Sequence, residues 1–304
     1  MIQFPISGVE TYWWLPVVVA FGISCLTSMG GISGAFILLP FQVSLLGFAS
    51  PAVTPTNLIF NIVAIPSGVY RYFRENRMLW PLAWLIILGT LPGLFLGVIV
   101  RIKYLPDPES FKLFAGCVLL YVGLRLMLDV TGKCKDHDSR PTTATLSKKT
   151  MFAVTPLAFN LKHLAYSFNS RDYHLPTWGI LALSLVIGII GGIYGIGGGA
   201  FMAPFLVTVL GLPVYSIAGA ALTGTFVTSV FGVLFYLLLA PSFSQSAAAI
   251  RPDWILGMMF GIGGAIGMYV GARIQKYMPV RMIKAILAIC VVFIASRYIL
   301  GFFL

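Results

Sequence analysis

A chain of 304 residues that is 59% hydrophobic and 10% charged, with a mean hydropathy of +0.94, is not a soluble domain, which carries about 25% charged residues. Its net charge of +11 would suggest nucleic acid in a soluble protein. Here the basic residues fall in loops between apolar spans, so nucleic acid is excluded as a partner and the charge reads as topology and contact with anionic lipid. The expectation is an all-α polytopic protein of the cell membrane, with the bilayer as its solvent.

Residues 1–12 are polar to neutral, and no basic stretch precedes the first apolar run, so no cleaved signal peptide is expected. Two short apolar runs follow within 13–47, interrupted by Gly30-Gly31-Ile32-Ser33-Gly34-Ala35-Phe36 with Pro40 beyond. The first, about 16 residues, spans roughly 24 Å as helix, short for a hydrocarbon core of about 30 Å. Residues 51–70 form a span carrying Thr54, Thr56, Asn57 and Asn61. Spans at 80–100 and 113–129 complete a first half, 1–129.

Residues 130–176 form a basic linker with seven Lys/Arg. Its middle, Met151 to Tyr166, is apolar enough for a short helix lying on the membrane or under the bundle. The second half, 177–304, repeats the first: two short runs within 177–211 around Gly191-Gly192-Ile193-Tyr194-Gly195-Ile196-Gly197-Gly198-Gly199-Ala200-Phe201, then spans at 214–239, 254–272 and 285–303. Gly34-Ala35-Phe36 stands 165 positions before Gly199-Ala200-Phe201, and Asn61 stands 164 before Thr225. Arg101, Lys112 and Arg125 stand 172 before Arg273, Lys284 and Arg297. Internal symmetry of this kind is a common build for transporters.

Loop charge orients the halves. The loops at 71–77, 130–176 and 273–284 hold three, seven and four Lys/Arg, against three at 101–112 and one at 240–253. The first set is cytoplasmic by the positive-inside rule. The span 51–70 then ends inside while its counterpart 214–239 ends outside. The halves are inverted only if 13–47 and 177–211 add no net crossing, so each is expected to be a helical hairpin. The expected fold is two inverted repeats, each a broken-helix hairpin plus three spans.

Catalytic signatures are missing: there is no GxxxxGK[ST], no HExxH and no GxSxG, and His137, His163 and His174 all lie in the linker. No enzyme activity and no cofactor are expected. Cys134 and His137 are too few to hold a metal, and Cys25, Cys117 and Cys290 lie in apolar spans as small packing residues.

Glycine can serve packing or function. Gly89, Gly93 and Gly97, like Gly263, Gly267 and Gly271, are regular small-residue faces that let helices approach; as exposed faces they would also support a homodimer. Consecutive glycines at 197–199 make no single face. They break the helix, and broken backbone at membrane depth is tolerated where it lines a protected cavity. Two tips, Ser33-Gly34 and Gly197-Gly198-Gly199, would aim helix N-termini at the membrane interior and form an anion site. Asn57 and Asn61 share one helix face, and intramembrane polar groups of this kind are functional candidates, as are Thr223 and Thr225. The candidate binding set is Ser33, Gly34, Asn57, Asn61, Gly197, Gly198, Gly199, Thr223 and Thr225.

These two Gly-Ala-Phe hairpins with a following proline, the Asn/Thr-bearing next helix and the two-half layout resemble the sulfite exporter TauE/SafE family. The resemblance covers about 13–129 and 177–303. It implies a secondary transporter that exports sulfite or moves organosulfonates and related anions. The alternatives are an uptake permease for organic anions and an anion channel.

Overall fold

The computed structural model describes residues 1–29, 32–48, 50–130, 154–159, 163–168, 171–239, 241, 250–274 and 280–303. Among them are ten α-helices: α1 Leu15–Met29, α2 Ala35–Ser44, α3 Val53–Arg74, α4 Trp80–Lys103, α5 Pro108–Val130, α6 Thr177–Tyr194, α7 Gly199–Leu210, α8 Val214–Leu239, α9 Trp254–Ile274 and α10 Val280–Phe303. Five of them, α4, α5, α6, α8 and α9, contain stretches long and apolar enough to cross a membrane. The chain is a multi-pass membrane protein. The helix α3 is as long as these, but its Thr54, Thr56, Asn57, Asn61, Arg71 and Arg74 make it less apolar.

The helix breaks fall where glycine dictates. Gly195 and Gly197 sit at φ +82° and +80°, a left-handed conformation that costs an L side chain roughly 1–2 kcal/mol. Gly195 ends α6, its N–H bonding to the carbonyl of Gly191, and α7 starts within four residues. In the first half Gly34 lies against Ser24 of α1, so the chain doubles back after α1.

Close glycine contacts give the direction of each helix. On α4, Gly89 lies against Leu181 and Ser184, and Gly97 against Ile189 and Gly192; α4 and α6 therefore run parallel. Val17, Phe21 and Cys25 of α1 likewise meet Gly263, Gly267 and Gly271 of α9, and these two also run parallel. By contrast, Gly68 meets Leu222 while Gly232 meets Leu58, so α3 and α8 run antiparallel. Gly116 meets Tyr298 while Gly123 meets Val292, so α5 and α10 are antiparallel as well. The first helices of the two hairpins cross between halves: α1 packs on α9, and α6 on α4.

Two expectations change. The glycine faces on α4 and α9 are buried within the chain against α6 and α1, so they provide no surface for a homodimer. The linker, expected to carry a short helix over Met151 to Tyr166, instead contains an antiparallel three-stranded sheet: β3 Val154–Phe159, β4 His163–Phe168 and β5 Arg171–Pro176, after two short N-terminal strands, β1 Ile2–Gln3 and β2 Glu10–Thr11. Along β4 the large apolar side chains recur every second residue, at Leu164, Tyr166 and Phe168, all buried, with the small Ala165 buried between the first two. That period of two is the signal of a strand, and apolar content alone conceals it. Tyr166 stacks on Tyr173 and hydrogen-bonds Ser216 at 3.1 Å, tying the sheet to α8. Cys134 and His137 lie outside the described residues.

Candidate functional site

The Gly-Ala-Phe motifs meet. Phe36 and Phe201, at equivalent places in the two motifs, pack edge to face with ring centroids 5.6 Å apart. Tyr194 adds a second edge-to-face contact with Phe201 and donates its hydroxyl to the carbonyl of Phe36 at 3.4 Å. The first tip, Ser33-Gly34, and the second, running from Gly195 to Gly199, are thus held together by aromatic packing immediately behind them.

Asn57 and Asn61, on one face of α3, join the tips. The Asn61 amide donates to the carbonyl of Ile196 at 2.6 Å, and its carbonyl oxygen accepts from the hydroxyl of Ser33. The Asn57 amide donates to the carbonyls of Gly195 at 3.0 Å and Ala35 at 3.1 Å, and its oxygen accepts from Gln42 at 3.2 Å. Ser33, Asn57 and Asn61 are fully buried. Opened backbone at the second tip leaves two carbonyls without helical partners, and the two asparagines supply donors for both. Leaving such groups unmet would cost roughly 1–3 kcal/mol each.

On the other side, α8 presents Thr225, Thr228 and Ser229, all fully buried. The Gly198 N–H donates to Thr228 at 3.1 Å. Gly199 lies against the Ala221 carbonyl and Thr225, and Gly197 against Ser229 and Thr228. Thr225 donates back to the Ala221 carbonyl at 2.8 Å. Thr223 is on a different face. It is half-buried, its hydroxyl bonded to the Gly219 carbonyl at 2.9 Å and directed at the Met78 sulfur. Two residues along a helix is about 200° of rotation, so Thr223 and Thr225 do not reach one site. Met78 and Phe226 line an apolar cleft of about 300 Å³ with Pro66, Tyr70 and Trp80, away from the tips.

Of the nine expected residues, eight converge and Thr223 does not. The geometry adds Thr228 and Gln42, and two hydroxyls, those of Ser24 beside Gly34 and Ser229 beside Gly197, which are buried with no hydrogen-bond partner among the described residues. A signal for Thr228 and Ser229 exists in the sequence, since both lie three to four residues beyond Thr225 and share its face.

By sequence Arg101 falls in a charged loop. It instead belongs to the last turn of α4 and is fully buried. Its Nε donates to the Thr54 hydroxyl at 3.2 Å, and its guanidinium lies 3.9 Å from the centre of the Phe111 ring. Its neighbours come from three other helices, Thr54 of α3, Phe111 of α5 and Tyr236 of α8.

A family model described as Sulfite exporter TauE/SafE matches residues 16–298. A similar protein is the "Probable membrane transporter protein YunE" of Bacillus subtilis (strain 168), 22% identical over 279 residues, which covers 90% of this chain and 92% of that protein. No solved structure matches the chain significantly.

Proposed function

The chain belongs to the sulfite exporter TauE/SafE family, and from that premise we propose that this membrane transporter is a secondary carrier exporting a small sulfur-containing oxyanion, sulfite first among them, through a site at the two hairpin tips. One observation carries the reading: two glycine-broken hairpins, one from each half, meet around Asn57 and Asn61 in a fully buried polar cluster. Broken helices paired at the interface of two halves are the usual build of a carrier site. Full burial of Ser33, Asn57, Asn61 and Thr225 supports an occluded, alternating site over a standing channel.

The two halves are read as inverted repeats. The antiparallel course of α3 against α8, and of α5 against α10, supports this, because repeats related by an axis along the membrane normal would keep equivalent helices parallel. Burial of Arg101 also leaves only Lys103, at the end of α4, and Lys112, in the first turns of α5, flanking the connection between them, which strengthens the inside bias of Lys/Arg elsewhere. In a cysteine-free background, Leu45→Cys and Gly211→Cys, both at exposed connections after the short second helices, are expected to label from opposite sides, the first from outside. Labelling of both from one side would sink the inverted arrangement.

Direction follows from charge. Among the described residues no carboxylate or histidine stands in mid-helix where a proton relay would be built. Asp253, the buried exception among the acids, caps α9 by accepting from Leu256 N–H at 3.1 Å and also accepts from Ser7 N–H. Exit of an anion from a negative interior is downhill by about 2.3 kcal/mol per charge per 100 mV, so no coupling ion is needed. In oriented proteoliposomes compared side by side with sulfite, thiosulfate, sulfate and sulfoacetate, an inside-negative potential is expected to drive saturable sulfite efflux with counterflow and without a proton or sodium gradient. Strict dependence on either gradient would favour uptake instead. Non-saturating flux without counterflow would favour a channel.

A further inference from the structure

We infer that Arg101 forms a second anion subsite beside the second hairpin tip, on one face of the molecule only. The inference deepens the transport reading and rests on it. Its basis is a fully buried guanidinium whose two terminal nitrogens have no hydrogen-bond partner among the described residues. Burying an unpaired charge is costly, and natural proteins pair such groups. No described carboxylate does so here: Glu75 pairs with Arg71 and Arg77, Asp253 caps α9, and Asp107 accepts from Ser110.

The surroundings suit a small oxyanion. Nε is fixed by Thr54 and the plane lies over Phe111, so the orientation of the guanidinium is set while its two NH₂ groups keep their donors. That planar pair matches two oxygens of a sulfur oxyanion. Tyr236 stands beside the arginine, hydrogen-bonded to Thr54 and donating to the Gly192 carbonyl at 3.3 Å. The polar neighbours of the guanidinium are therefore held in place from both sides.

The subsite is connected to the tips. Thr54 lies directly against Gly195, whose carbonyl is held by Asn57. An anion leaving the tips toward the end of α4 therefore meets Arg101 one residue away along this contact chain. The repeat makes the placement one-sided: the counterpart of Arg101, Arg273, is exposed. In the orientation proposed above, Arg101 serves the outer side, where an exported anion is released.

The test reads binding apart from transport. Thermal unfolding of the purified protein is followed with millimolar sulfite, sulfate, thiosulfate and phosphate, each matched in ionic strength with chloride. In wild type the preferred oxyanion is expected to raise the melting temperature by about 5 °C or more as the site fills. In Arg101→Met the shift is expected to shrink to what the tips alone give, while the unfolding temperature without oxyanion stays equal or rises, because an unpaired buried charge has been removed. A merely structural arginine would give the opposite: a lower baseline and an unchanged shift. Should Arg101→Met not fold, the pair Arg101→Lys and Arg101→Gln replaces it, with the full shift kept in the first and reduced in the second.

In flux assays Arg101→Gln is expected to raise the half-saturating concentration on the outer side about tenfold, about 1.4 kcal/mol. Equal shifts in wild type and Arg101→Gln, or no shift in wild type with any of the four anions, overturn the subsite. An Arg101-dependent shift in a protein that moves none of the sulfur anions would sink the transport reading and leave the subsite standing.

Discussion

Gly199→Val is expected to abolish anion flux in proteoliposomes while the protein still inserts and remains monodisperse. At Gly199 a Cβ would collide with the carbonyl oxygen of Ala221 and with the amide and hydroxyl of Thr225. These are groups of α8, mostly backbone, and no change of rotamer relieves the contact. Overpacking of this kind costs typically about 1–3 kcal/mol, and the local response is to push the start of α7 away from α8. That movement separates the second tip from Thr225 and Thr228. The expected loss is more than about 30-fold in flux, since each 1.4 kcal/mol is about tenfold. Gly22→Val is the control: Gly22 is exposed on α1 and a side chain added there would meet open space, so its flux is expected to match wild type. Wild-type flux in Gly199→Val would move the site elsewhere.

Asn61→Asp is expected to be nearly as damaging for a different reason. The substitution is isosteric, so packing is preserved. It removes the donor that meets the Ile196 carbonyl at 2.6 Å and puts a buried carboxyl where the anion is proposed to sit. An unmet buried carbonyl costs roughly 1–3 kcal/mol, and an ionised carboxylate would add repulsion between like charges in a low-dielectric site. Flux is expected to fall at least about tenfold at neutral pH, the equivalent of about 1.4 kcal/mol. Asn61→Thr places at 61 the residue type that stands at the symmetric position 225, and is expected to retain more activity than Asn61→Asp. The falsifying pattern is equal flux in wild type and Asn61→Asp, which would make the asparagine a packing residue only.

Much of the layout can be read from residues. The span 214–239 matches α8 end to end, and the others differ mainly by short polar extensions that helices carry into the interface, such as Arg71 and Arg74 on α3. The breaks at Ser33-Gly34 and Gly195–Gly199 are legible because glycine-rich backbone does not hold a helix. Asn57 and Asn61 are legible because an asparagine in a span needs a partner. The sheet at 154–176 is not: an apolar stretch outside the spans has no length rule to separate strand from short helix, and only the alternation in β4 distinguishes it.

Hydropathy and glycine act locally, so the bilayer as solvent and the residues around which the chain breaks are legible in the sequence. Of the six full spans expected, those at 80–100, 113–129, 214–239 and 254–272 coincide with helices long and apolar enough to cross, while 51–70 and 285–303 fall short of that measure among the described residues. Which groups those breaks meet depends on packing between distant helices. Asn61 finds the Ile196 carbonyl across 135 positions, and Phe36 finds Phe201 across the two halves. Thr223 and Thr225 read alike as threonines in a span, yet the packing of α8 turns one to the tips and the other to Met78. Arg101 reads as a loop charge until Thr54 of α3, Phe111 of α5 and Tyr236 of α8 are brought around it. Burial of a charge is a property of its neighbours, and those neighbours are brought by helices far apart in the chain.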